Sequence, residues 1–307
     1  GYCASVAVHR DGVDIPLKYI RYSGIDGVGD IPICPQCLAE EAYIKQSWHL
    51  KWVKVCTKHK CSLIHNCPEC NLPLNYIESE SITHCSCGFD LSSAVSNAAE
   101  NTSVRALNNL MRSDSSIDNP LFNDTSVSQR FAALLWYQHR FNKQDFFNLD
   151  EITHYFSQWP QNFYDELDVT SQHAEMRLID LFNKTTFRFI YDELILSVPR
   201  NHLSEGKPHF IWCALMEYLV NLVGKNPKSK KPNVADMLVS VSEASVILST
   251  SHEQIYRLYQ DGILQSAFRH KMKQRIDPHA GIFFLRQVIE YRNSFGVNNS
   301  RVYLSAW

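Results

Sequence analysis

Most of the ten cysteines fall between Cys34 and Cys87, and their spacing limits what that stretch can fold into. The segment "CPQCLAEEAYIKQSWHLKWVKVCTKHK", Cys34 to Lys60, sets two thiols three apart and then a thiol and an imidazole three apart. The segment "CPECNLPLNYIESESITHCSCG", Cys67 to Gly88, adds a second C-x-x-C and a C-x-C. Pairs at this spacing can close on one ion, so two ligand sets are expected: Cys34, Cys37, Cys56 and His59, then Cys67, Cys70, Cys85 and Cys87. Four soft donors in each set, with no carboxylate, point to two zinc ions in closed tetrahedral structural sites rather than to catalytic zinc, which keeps a position for water. His84, Cys61 and His65 are possible stand-ins, whereas Cys3 and Cys213 read as plain thiols. The region is rich in Cys, Pro and His and poor in aliphatic periodicity, so the ions are expected to do the work of a core, and stripping them should unfold it.

The chain shows no secretory signal, and clustered C-x-x-C and C-x-x-H pairs then favour metal in a reducing compartment over disulfides. A cytoplasmic setting is therefore expected. The sequence begins with Gly rather than Met, and residues 1–30 read as the remnant of a longer N-terminal part. The longest apolar run, Phe210 to Val223, is interrupted by Glu217 and Asn221 and is too short to span a bilayer, which makes it a buried helix.

Beyond the double metal region at 31–95, a helical domain is expected at 96–224 and a C-terminal helix-turn-helix domain at 225–307. The fold class is thus mainly α, a helical bundle with a small zinc-finger or ribbon-like region. Helical period appears in "SVRALNNLMR", with Val104, Leu107 and Leu110, and in "RFAALLWYQHRF", with Phe131, Leu134, Leu135 and Phe141. "FNLDEITHYFSQWPQNFYDEL" reads as one helix stopped before Pro160 and another starting there. Two further helices are expected over Ser171 to Phe182 and Pro208 to Val223, a charged linker over Gly224 to Asn233, and one strand at Gly281 to Leu285.

"VSVSEASVILSTSHEQIYRLYQDGIL" reads as two helices with Ala244, Ile247 and Leu248 inward on the first and Ile255, Leu258 and Tyr259 on the second. Ser251 with Gln254 fits a capping box, and Gly262 is placed to end the second helix. Its outward face would carry His252, Gln254, Arg257 and Asp261, with Arg269, Lys271, Lys273 and Arg275 following in a loop suited to phosphates. Against this, Lys+Arg 30 and Asp+Glu 32 give a formal charge of -2, and loading two zinc ions on seven thiolates lowers it to about -5. Any nucleic-acid contact must then use local basic islands, such as Lys51, Lys54, Lys58 and Lys60 with Trp48 and Trp52.

No catalytic constellation emerges: there is no P-loop, G-x-S-x-G, H-E-x-x-H or Gly-rich dinucleotide turn. His139, His154 and His173 are isolated on helical segments, and the neighbours Glu40 and Glu41, or Asp165 and Glu166, would splay apart on a helix.

The order C-P-x-C, Trp48, C-x-x-H, C-x-x-C, C-x-C resembles the zinc region of the TniQ/TnsD family of transposon target-selection proteins. "FSQWPQNFYDEL", "AEMRLIDLF", "SEASVILSTSHEQIYRL" and the ending "RVYLSAW" look like the TniQ of CRISPR-associated transposons. That resemblance runs from about residue 30 onward. It implies a non-catalytic adaptor that forms a homodimer, docks on the crRNA-loaded Cascade effector of Cas proteins, and helps recruit the AAA+ regulator TnsC, with indirect contact to target DNA and none to membranes. The alternative within the same resemblance is a TnsD-like selector that binds a fixed DNA attachment site through the C-terminal helix-turn-helix. A third reading is a metal-dependent nuclease or hydrolase.

Overall fold

The computed structural model of the chain describes residues 7–10, 13–16, 21, 31–50, 53–76, 79–111, 119–123, 125, 127–141, 149–177, 180–199, 208–268 and 277–296. Among the described residues are eleven helices and three two-stranded antiparallel sheets, so the chain is mainly helical with a small Cys/His-rich region. It divides into two units, Gly1–Gln158 and Trp159–Trp307, with the division inside the 96–224 stretch. No described helix is long and apolar enough to cross a membrane.

The first unit opens with a hairpin of β1 (Ala7–Arg10) and β2 (Val13–Pro16). The Cys-rich region follows, and short pieces of backbone organise it. Ile33 exchanges two backbone hydrogen bonds with Ile64, at 3.0 and 2.9 Å, and Ile31 N–H donates to Leu74 O at 3.0 Å. Helix α1 (Pro35–Glu40) starts on Pro35, whose missing N–H costs nothing in a first turn. Strands β3 (Val55–Cys56) and β4 (Cys61–Ser62) pair Cys56 with Cys61 across a tight turn.

Trp48 is 2% exposed, which corrects its expected place on a basic and aromatic surface. The Arg21 guanidinium, itself buried, donates through one nitrogen to the carbonyls of Trp48 (2.8 Å), Leu50 (2.7 Å) and Val53 (3.3 Å). That clamp satisfies carbonyls in a loop with no ladder of its own. Of the same surface, Lys51 and Trp52 lie outside the described residues.

Helices α2 (Asn101–Met111), α3 (Val127–Arg140) and α4 (Leu149–Ser157) complete the unit. Val104, Leu107 and Leu110 are buried as their spacing predicts; on α3 the buried apolar residues are Phe131, Ala133, Leu134, Trp136 and Tyr137, while Leu135 is half-buried. Buried Arg130 donates to Asn109 O at the end of α2 and to Phe122 O and Thr125 O, at 2.8, 3.1 and 3.0 Å. It supplies the donors that a helix C-terminus and the following loop lack.

In the second unit, α5 (Gln161–Arg177) begins just after Pro160, as expected, but runs on to Arg177. Among the described residues, the helix expected at Ser171 to Phe182 is thus not a separate one: Ser171–Arg177 continue α5, and Phe182–Lys184 is a single 3-10 turn. Thr170 and Ser171 turn their hydroxyls back onto Glu166 O and Asp168 O at 2.8 and 2.9 Å within the continuing helix. Two short helices, α6 (Phe187–Tyr191) and α7 (Leu194–Ser197), precede α8 (Phe210–Lys225), whose Ile211, Leu215 and Leu219 are fully buried. Cys213 lies on its exposed side.

Strand β5 (Leu238–Ser240) pairs with β6 (Gly281–Phe284), the strand expected near Gly281. Between them lie α9 (Val241–Ile247) and α10 (His252–Gln260), and α11 (Leu285–Gly296) follows. Gly262, at φ +73°, takes the left-handed position that ends α10. The capping reads differently from expectation. Ser251 accepts from Gln254 N–H only, whereas complete boxes sit at Ser240 with Glu243 and at Asn233 with Asp236.

Candidate metal centres

Two groups of four side chains converge: Cys34, Cys37, Cys56 and His59, and Cys67, Cys70, Cys85 and Cys87. Within each group the donor atoms all lie within 4.8 Å of one another. A zinc–sulfur bond of about 2.3 Å sets the edge of a tetrahedron at about 3.8 Å. Cys37 Sγ is 3.6 Å from Cys56 Sγ, Cys67 Sγ is 3.7 Å from Cys87 Sγ, and Cys70 Sγ is 3.7 Å from Cys85 Sγ. These separations and soft donors fit a zinc-sized ion, and the groups could hold metal in a manner consistent with zinc binding.

The backbone explains how the eight residues reach this geometry. Cys34 and Cys37 use the N-cap and the first turn of α1. Each of the other three ligand pairs rides a turn closed by a residue with positive φ: Lys60 (52°) after His59, Asn71 (56°) after Cys70, and Gly88 (90°) after Cys87. The turns are pinned by Asn71 N–H to Cys67 O (2.9 Å) and Gly88 N–H to Cys85 O (2.8 Å). Gly and Asn tolerate the left-handed region, and a residue of that kind directly after a ligand pair was the available sequence signal for these knuckles; Lys60 carries none.

In the first group His59 presents Nδ1 to the thiols, 3.3 Å from Cys34 Sγ, 3.3 Å from Cys37 Sγ and 3.7 Å from Cys56 Sγ. Its Nε2 lies 3.1 Å from Glu40 Oε1, and Lys58 donates to the other oxygen of the same carboxylate. The bonds from Lys58 and then His59 hold the Glu40 carboxyl below its usual range. Lys45 Nζ donates to Cys37 Sγ at 3.0 Å. Cys61 Sγ lies 3.5 Å from Cys34 Sγ, outside the group of four but against one of its members.

Burial pushes the Cys34 thiol strongly upward and raises Cys37 as well. Burial also acts on Cys85, but the Cys87 amide and the neighbouring thiols bring it down to about 7. Cys87 is pushed up to about 12: its Phe89 backbone bond works the other way, and is outweighed by burial and the three neighbouring thiols. A divalent ion must expel these protons to bind, so binding weakens as pH falls.

The stand-ins fall outside both groups. His84 Nδ1 is 3.0 Å from Thr83 Oγ1, and His65 is a member of neither set. Of the proposed contact residues, His252 and Arg257 are exposed on α10 and Gln254 is half-buried, while Arg269, Lys271, Lys273 and Arg275 lie outside the described residues. His139, His154 and His173 are all exposed on their helices. Sequence reasoning missed Glu40 and Lys45, which reach the first group only through tertiary contact.

Fold and donors together define a mainly helical protein with a two-cluster Cys/His region. The TniQ family model matches residues 29–63, the stretch that carries all four donors of the first group. No curated protein matches the chain.

Proposed function

We propose that the chain is a non-catalytic target-selection adaptor of RNA-guided transposition, close to the TniQ of CRISPR-associated transposons. In this reading it holds two structural zinc ions, forms a homodimer, docks on a crRNA-loaded Cascade effector and helps recruit the AAA+ regulator TnsC. The observation that carries it is the coincidence of the TniQ match with a complete four-donor group in the same residues, followed at once by a second complete group. Sites that spend every coordination position on protein donors organise a surface rather than activate a water. The modest formal charge of -2 favours a protein partner over autonomous DNA scanning. The bacterial cytoplasm is the compartment this role requires.

The test is co-purification of the tagged, zinc-loaded chain with crRNA-loaded Cascade, set beside footprinting on duplex DNA at moderate salt. Retention on Cascade with no site-dependent footprint is the expected result. A sequence-specific footprint by the protein alone, lost when Arg257 is replaced, would instead establish the TnsD-like DNA selector.

A further inference from the structure

We propose that Glu40 is a positioning residue for the first metal centre, fixing the tautomer and ring orientation with which His59 meets the ion. This rests on reading Cys34, Cys37, Cys56 and His59 as a metal site. Cys37 and Glu40 stand three apart on α1 and so share one face of that helix. The imidazole lies against that face at both ends. Cys37 Sγ is 3.3 Å from Nδ1, and Glu40 Oε1 is 3.1 Å from Nε2. With Nδ1 turned to three thiols, the lone pair belongs there and the proton on Nε2, which donates to the carboxylate. A carboxylate accepting from the distal nitrogen raises the basicity of the ligating one and stops ring rotation.

The competing role is a plain surface ion pair with Lys58, and pairs of that kind contribute little. The two oxygens separate these roles, because Oε2 takes Lys58 and Oε1 takes His59. Lys58→Ala therefore removes one bond and leaves the other, so comparing it with Glu40→Ala isolates the His59 bond.

The experiment uses the full, zinc-loaded chain and its Glu40→Ala, Glu40→Gln and Lys58→Ala variants. Each is challenged with a chelator while thiol alkylation is followed peptide by peptide. Zinc loss from the first group is read at Cys34, Cys37 and Cys56, and from the second at Cys67, Cys70, Cys85 and Cys87. Glu40→Ala should expose the first set about 10–100-fold sooner than wild type and leave the second set unchanged. Glu40→Gln, whose amide oxygen can still accept, should fall between, and Lys58→Ala should stay within about twofold of wild type. Nitrogen NMR of the zinc-loaded protein should show His59 protonated at Nε2, with that proton exchanging faster in Glu40→Ala. Wild-type release from Glu40→Ala, or an equal effect from Lys58→Ala, overturns the proposal. A wild-type chain with no metal at the first group overturns the metal reading itself, a result distinguishable from either.

Discussion

Cys34, Cys37 and Cys56 are each less than 5% exposed, whereas in the second group Cys67 alone is buried and Cys87 faces solvent. Both groups offer four donors, yet the first carries Glu40, Lys45 and Cys61 against its members. The charge handling differs too. Three thiolates, a neutral imidazole and a divalent ion leave one negative charge, which Lys45 meets directly at Cys37 Sγ; four thiolates leave two, beside an exposed Cys87 where water can screen them. Equal ligand counts therefore do not imply equal roles. The first group sits where the backbone is tied by Ile33 and Ile64, and the second where it is tied back to Ile31 through Leu74.

The largest effect expected from this contrast is at Cys37. Cys37→Ser should reduce bound metal from two ions to one and remove hydrogen-exchange protection from the Ile33 and Ile64 amides, because apparent zinc binding energies of roughly 10–16 kcal/mol underwrite this region. Cys87→Ser should weaken the second centre, detected as faster chelator release, while Ile33 and Ile64 stay protected. Loss of protection from both variants alike would break the distinction between the centres.

The smallest effect is expected at Cys61. Cys61→Ser keeps a donor beside Cys34 and removes none of the four ligands, so two ions should remain and the melting temperature should move by no more than a few degrees. A loss of one ion on that substitution would place Cys61 inside the coordination sphere and reassign the first group.

The eight donors were legible in the sequence because ligation demands particular residue types at short, fixed separations. The helices were legible where apolar period was strong, as at Val104, Leu107 and Leu110, and Pro160 marked the break between α4 and α5. What the sequence hid depends on partners far along the chain. Glu40 lies 19 residues from His59, and on an exposed helix end it reads as one of two neighbouring acids. Trp48, set among lysines, reads as surface, and it is the Arg21 clamp 27 residues away that accompanies its burial. At Ser171, where a further helix was expected to begin, α5 simply continues to Arg177, because nothing between residues 161 and 177 interrupts its backbone ladder. The Ser240 and Glu243 box was visible as S-x-x-E and lost to the similar pattern eleven residues later.

The most direct measurement is elemental analysis of the purified full chain paired with the absorption spectrum of its cobalt-substituted form. Two ions per chain, with ligand-field bands of tetrahedral thiolate sites unmoved by added anions, are expected. Fewer than two ions, or a spectrum that shifts as an anion displaces bound solvent, would contradict two closed centres and with them the adaptor built on them.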